Sequence, residues 1–323
     1  MKKDLKIIVT TYPFGDPDPM PLKLLSQITE CNTITYNNAK RKYSREEHLE
    51  VLKRENPDII IAGTEKYDKE AYDLCPKLKM ISRVGIGLDS VDLKIAQKRG
   101  IIVTYTPDAP SNAVAELAVC QMLNMLRRVS WVGSRMRAGH WSRFIGRDIR
   151  DCNVGIIGIG RIGNLVIEKL QGLKPRRIYI NDIDHMRMEN KDRCEPATKY
   201  QILSKCDVVT IHIPWSEENN NFITKEELSL MKPDACLLNM SRGGIVNEGD
   251  LYEWLVFNTK ASGAIDTFID EPYTGELTKL GNTYLTPHLG SCTLKSRFDM
   301  ECGAAEEVIS YVKKTRRYNN RVV

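Results

Sequence analysis

The chain has 323 residues, 42% of them hydrophobic and 28% charged, with a formal net charge of +5. That is an ordinary globular composition, with room for one large or two ordinary α/β domains. Its apolar runs, such as "DIIIAG" and "ACLLNM", fall far short of the roughly 18–20 residues of a membrane span. The basic residues are dispersed, with "KKTRRYNNR" the one tight cluster, so neither membrane nor nucleic-acid binding is expected.

In chain order, "LKIIVTT", "TITYN", "DIIIAG", "KMISRVG" and "IIVTYT" read as strands, with helical stretches between them. One of these, "SREEHLEVLKREN", opens with Ser44 and Glu47 at capping-box spacing. "SNAVAELAVCQMLNMLRRVS" then reads as one long, mostly apolar helix without an internal breaker, suited to burial between domains or subunits. A second strand series follows: "CNVGIIG", "RRIYIND", "DVVTIHIP", "ACLLNMS", "ASGAIDTF" and "TYLTPH". Thr224 and Glu227 form another capping box within it. Strands alternating with helices mean βαβ units and parallel sheets. Pro-bearing passages at 106–112 and 286–296 bracket the second series, and a helical tail follows. The expected fold is therefore α/β, with two Rossmann-like, doubly wound parallel-sheet domains. Residues 106–292 form an inner domain inserted into an outer one made of 1–105 and 293–323. A cleft is expected where the chain crosses between them.

Nine cysteines, none at CxxC spacing, argue against a zinc site or a disulfide framework. They read as small buried hydrophobes of a reducing cytoplasm, Cys292 included.

"NVGIIGIGRIGNLVIEKL" carries Gly158, Gly160 and Gly163 as GxGxxG, between an apolar strand and an amphipathic helix. That context suits a dinucleotide: a tight turn, close backbone approach to the pyrophosphate, and close strand–helix packing, in that order. The helix start supplies free N–H groups and the positive end of a dipole. Asp182 directly follows the next strand, where an acid binds the adenosine ribose and repels a 2′-phosphate. NAD is thus the expected cofactor, and Asp184 competes for the same role. "VGIG" at 84–87 lacks the third glycine, yet its backbone N–H groups can face an anion. Arg242, Asp266, Glu271 and His288 each follow a strand of the second series, at the carboxyl edge where open α/β sheets bind ligands. His48, His140 and His185 lack such a setting and read as surface or structural.

With these motifs in place, the chain resembles the D-isomer-specific 2-hydroxyacid dehydrogenase family, nearest its phosphoglycerate dehydrogenase and hydroxypyruvate reductase branches. The resemblance rests on "SRVGIGLDSVDL", "AVAELAVCQML", "GIGRIG", "MKPDACLLNMSRGGIVNEGDL", "DEP" and "TPHLGS", in that order. It implies that Arg242, Glu271 and His288 are catalytic. It implies a substrate site at Arg83, Val84, Gly85, Ile86 and Gly87 together with Arg242. Further cofactor contacts are implied at Arg161, Ile162, His212, Ile213, Pro214, Met240, Ser241, Asp266 and Gly290. The chemistry is coherent: Arg242 grips the carboxylate and carbonyl of a 2-oxo acid, and His288 gives or takes the proton. Glu271 orients the imidazole, and domain closure excludes water. Glu65 stands near where phosphoglycerate-specific members carry a basic residue, whereas Arg83 matches a basic position of some phosphate binders. The resemblance further implies a small anionic 2-oxo or 2-hydroxy acid substrate and a homodimer formed through "AVAELAVCQML", with "GHW" on an arm reaching the partner. The other reading is an NAD-binding, corepressor-like regulatory protein on the same fold. A formate dehydrogenase is disfavoured, because that branch replaces the glutamate.

Overall fold

The computed structural model describes residues 5–29, 31–314 and 320–323. By contact density the chain divides into two units, Met1–Pro110 with Ser291–Val323, and Ser111–Gly290. The break lies a few residues from the 105/106 and 292/293 positions read from sequence. Thr106 explains the first shift. Its N–H donates to Gly85 O (3.0 Å) and its hydroxyl accepts from Gly85 N (2.8 Å), so the chain leaves the first unit only after this tie.

The first unit holds a sheet of β1 (Leu5–Val9), β2 (Cys31–Thr35), β3 (Ile59–Ala62), β4 (Met80–Arg83) and β5 (Ile102–Thr104). Its order is β2-β1-β3-β4-β5, with every strand pair parallel. All four residues of both β3 and β4 are buried, as expected where helices cover both faces of a parallel sheet. On the helix Arg45–Glu55, Ser44 Oγ accepts the Glu47 N–H (3.2 Å) and Glu47 Oε2 accepts the Ser44 N–H (2.8 Å). This is the capping box read from sequence.

The second unit holds β6 (Asn153–Ile157), β7 (Arg177–Asn181), β8 (Cys194–Pro196), β9 (Val208–Ile211), β10 (Cys236–Asn239), β11 (Ser262–Ile265) and β12 (Thr283–Leu285). The order is β12-β11-β10-β9-β6-β7-β8, all parallel. The chain starts in the middle at β6, runs outward through β7 and β8, then crosses back to β9. The β6/β9 boundary is the switch point where doubly wound sheets open a crevice at their carboxyl edge.

The expected long helix ends at Arg127; a second one begins at Val129. Its buried positions Val114, Ala115, Ala118, Met122, Met125 and Leu126 follow the 3.6-residue period and pack on Val154, Ile156, Val166 and Leu170. Arg128 breaks it, in the left-handed region (φ 49°), where its Nη2 donates to Thr259 O at 2.8 Å. Asn124 Oδ1 accepts the Ser130 N–H at 2.9 Å and so starts the next helix. The break comes from partners distant in sequence, not from a local breaker. Among the described residues no helix is long and apolar enough to cross a membrane.

The cysteines divide. Cys75, Cys152, Cys206, Cys236 and Cys302 are buried, while Cys120 and Cys292 are exposed, so Cys292 is not the packing residue expected. His48 is buried at 1% exposure, edge-on to Tyr67 at 4.9 Å. Burial, aided by the neighbouring Arg45, lowers its pKa from the ordinary 6.5 to about 4. The unfolded chain therefore binds a proton between pH 6.5 and 4 that the folded chain does not. Stability from this group is complete above pH 6.5 and is lost as pH falls toward 4, by about 3 kcal/mol. His212, also lowered to about 4 by burial, acts in the same direction. His48→Leu should accordingly flatten, without abolishing, the fall of the urea midpoint between these pH values. An unchanged slope would contradict the assignment.

Candidate active site

The carboxyl edge of the second sheet is built first from its glycines. Gly158 follows β6 with φ +94°, and a Cβ there would sit 2.6 Å from His212 O. A Cβ on Gly163 would sit 2.0 Å from Gly158 O, so strand, turn and helix close on each other only without side chains. At Gly160 nothing lies within 4 Å of the Cβ position; this is where the turn stands open to a ligand. The helix Arg161–Leu173 starts here, with Arg161 exposed and Ile162 packed against the core. Asn164 Nδ2 donates to Ile159 O (3.1 Å) and Gly160 O (2.9 Å), securing the turn.

Asp182 is buried just past β7. Its Oδ2 accepts the Ile159 N–H at 2.6 Å and its Oδ1 accepts the Asp184 N–H at 2.9 Å. It is thus bound to the glycine turn itself, whereas Asp184 is half-exposed and caps its own turn through Met186 N. Open turn, helix start and an acid at the end of the second strand together fit a dinucleotide.

Past β9, His212 Nε2 lies 2.9 Å from Thr210 Oγ1, and burial keeps this imidazole neutral at ordinary pH. Ile213 is half-buried and Pro214 exposed. Past β10, Met240 is buried in the core and Ser241 Oγ donates to Ile211 O at 2.8 Å. Arg242 Nη1 donates to Ser241 O (2.7 Å), and Asn239 Nδ2 donates to Arg242 O (2.8 Å).

Asp266, past β11, is 1% exposed. Its Oδ1 accepts from the Thr286 hydroxyl (2.6 Å) and the Leu289 N–H (2.7 Å), and its Oδ2 from the Gly290 N–H (2.9 Å). Its carbonyl accepts the His288 N–H at 2.9 Å. Asp266 therefore grips the whole "TPHLG" loop, and Gly290 acts as one of its donors. His288 is left-handed (φ 53°), and its Nδ1 lies 3.1 Å from each carboxylate oxygen of Glu271. Glu271 Oε1 also accepts the Phe268 N–H at 3.2 Å. The imidazole is about one-third exposed.

The Arg242 segment meets this pair through Gly243. A Cβ on Gly243 would lie 2.1 Å from the Phe268 carbonyl carbon and 2.4 Å from Ile269 N. The structure thus brings the segments 239–243, 266–271 and 286–290 together. In the first unit, Arg83 ends β4 and is buried with Val84 and Gly85, while Ile86 and Gly87 are half-buried. The Val84 N–H is given to Ala62 O (2.9 Å) and that of Gly85 to Thr106 Oγ1 (2.8 Å), so these two donors are not the open anion-facing groups read from sequence. Sequence reasoning missed Asn239, Gly243 and Thr286. "NMSRGG" held a signal for the first two, since Asn at a strand end and paired glycines mark a tight turn.

The family description "D-isomer specific 2-hydroxyacid dehydrogenase, NAD binding domain" matches residues 119–290. A glyoxylate reductase of Thermococcus litoralis is 34% identical over 270 residues, covering 80% of this chain and 82% of that one. The crystal structure of the TT0316 protein from Thermus thermophilus superposes with a TM-score of 0.85 at 28% identity, covering 99% of this chain and 100% of the other. A D-lactate dehydrogenase from Aquifex aeolicus, complexed with NAD and lactic acid, shares the fold with a TM-score of 0.82 at 23% identity, over 98% of this chain and 99% of that one.

Gly243→Ala should displace the 268–271 turn and with it the Glu271–His288 pair. A misplacement of about 1 Å costs roughly 10²-fold in turnover. NADH affinity, read by fluorescence titration, should stay near wild type, because the glycine turn at 158–163 is untouched. Unchanged kcat would contradict the close approach.

Proposed function

The chain belongs to the D-isomer-specific 2-hydroxyacid dehydrogenase family, as an NAD-dependent oxidoreductase of 2-hydroxy acids, and from that premise we propose that it reduces a small, unphosphorylated 2-oxo acid such as glyoxylate or hydroxypyruvate. The observation that carries this reading is the His288–Glu271 pair beside the Arg242 turn. The names of the relatives, glyoxylate reductases, support the substrate class. So does Glu65, a buried carboxylate past β3 that accepts the Gly63 N–H at 2.9 Å, where a phosphate binder needs a cation.

Gly158, Gly160, Gly163 and Asp182 would hold the dinucleotide, with Arg161, Ile162, His212, Ile213, Pro214, Met240, Ser241 and Gly290 around it. The bound nicotinamide supplies the hydride. Arg242 presents its guanidinium fork to the substrate carboxylate and carbonyl oxygen. His288 holds a proton on Nε2 and delivers it to the carbonyl oxygen during reduction. Glu271, on Nδ1, fixes the ring's tautomer and direction. In oxidation the same nitrogen takes the proton back. Asp266 acts by setting the loop that carries His288.

NADH oxidation, followed at 340 nm, is expected with at least one of glyoxylate, hydroxypyruvate, pyruvate, phenylpyruvate or 3-phosphohydroxypyruvate, the first two leading. His288→Ala should lower kcat by at least about 10²-fold. Flat absorbance across the panel would favour the NAD-binding regulatory reading, and near-native turnover of the variant would remove the proton-transfer role.

A homodimer is part of the same proposal. Leu123, Val129, Met136, Trp141 and Ile145, within residues 111–148, are exposed by 36%, 61%, 60%, 80% and 96%. These exposed apolar side chains are the ones we propose a second copy would cover. Nine free thiols suit a reducing compartment such as the cytoplasm. Light scattering should give twice the 36.8 kDa chain mass at micromolar concentration; the mass of one chain would contradict the dimer.

A further inference from the structure

An acid at the end of the second strand ordinarily excludes a 2′-phosphate by like charge. Here that acid does not stand alone. Arg187, on the turn after Asp184, places Nη1 3.7 Å from Asp182 Oδ2 and Nε 3.3 Å from Asp184 Oδ2. Its side chain is 52% exposed, against 5% for Asp182. Both Asp182 oxygens already accept backbone N–H groups, from Ile159 and Asp184. The acid is therefore buried and held to the glycine turn, while the cation lies exposed beside it. A second cation is close by: Lys191 Nζ donates to Asn164 Oδ1 at 2.5 Å, and Asn164 itself holds the glycine turn. A guanidinium carries five donors, more than these two loose contacts use, and its fork matches phosphate oxygens.

We propose that Arg187 opens the adenosine end of the site to a 2′-phosphorylated dinucleotide, so that the protein binds NADPH as well as NADH. This rests on Asp182 lying at the adenosine ribose. Swinging a few ångströms, Arg187 trades its pairs with Asp182 and Asp184 for the phosphate. With NADH it stays on the acids. Because Arg187 would meet the phosphate at an exposed position, that contact weakens as salt screens it.

The test is fluorescence titration of the protein with NADH and with NADPH, without substrate. The wild type should bind the two within about tenfold of each other, and raised ionic strength should weaken NADPH more than NADH. Arg187→Gln should weaken NADPH about tenfold more than NADH, the effect of losing one charge-assisted contact. Arg187→Lys should restore part of the difference. A wild type that discriminates against NADPH by more than about 100-fold would overturn the proposal, since that is the behaviour of an unshielded acid. Equal weakening of both cofactors in Arg187→Gln would overturn it too. Asp182→Asn separates the premise: its amide oxygen can still accept the Ile159 N–H, and it should weaken NADH and spare NADPH. If that variant changes neither, Asp182 does not lie at the ribose and the proposal falls with its premise, whereas a shifted NADH affinity with no effect of Arg187→Gln overturns the role of Arg187 alone.

Discussion

Three donors on one buried carboxylate fix the geometry on which the rest of the site depends. Asp266 takes the Thr286 hydroxyl and the Leu289 and Gly290 N–H groups at 2.6–2.9 Å, at 1% exposure. Hydrogen bonds to a charged group are worth about 1.5–3 kcal/mol each, and a buried carboxylate is tolerated only when so satisfied. This grip offsets the cost of His288's left-handed backbone, about 1–2 kcal/mol for a residue with a Cβ. That backbone, between Pro287 and Leu289, turns the imidazole onto Glu271. The strain sits where function needs a fixed direction.

The remaining parts are arranged by close backbone approach. Gly158 and Gly163 let β6, its turn and the following helix close to distances no side chain permits, which leaves the space at Gly160 for a ligand. Gly243 does the same between the Arg242 turn and the Phe268–Glu271 turn. Parallel strands with both faces covered deliver all of these segments to one edge. The reaction asks for a fixed carboxylate clamp, a proton donor of fixed direction and a cofactor cradle. The second unit brings Arg242, the His288–Glu271 pair and the glycine turn to that edge, the groups we propose for these tasks.

Most of this was legible because local chemistry and tertiary structure agree. The β-branched runs are the strands, Ser44 and Glu47 cap their helix, and GxGxxG lies between strand and helix as its mechanism demands. What was not legible depends on partners far away in sequence. Asp266 reads as a cofactor contact from the resemblance, and the hold of its carboxylate on residues 20–24 positions later shows only in the structure. The break at Arg128 depends on carbonyls of Thr259 and Lys260, more than a hundred residues on. His48 lies one helical turn before the buried Leu52, but its contact with Tyr67 is legible only in the structure. Arg187 has no motif, since its pairing with Asp182 arises from the turn between them.

The central claim is that His288, held by Glu271, faces the reacting oxygen. The most direct test is a crystal structure of the ternary complex with NADH and oxamate, an unreactive mimic of a 2-oxo acid. His288 Nε2 should lie about 2.6–3.2 Å from the mimic's carbonyl oxygen, with Nδ1 still on Glu271 and Arg242 on its carboxylate. An imidazole turned away, with another side chain at that oxygen, would contradict the account.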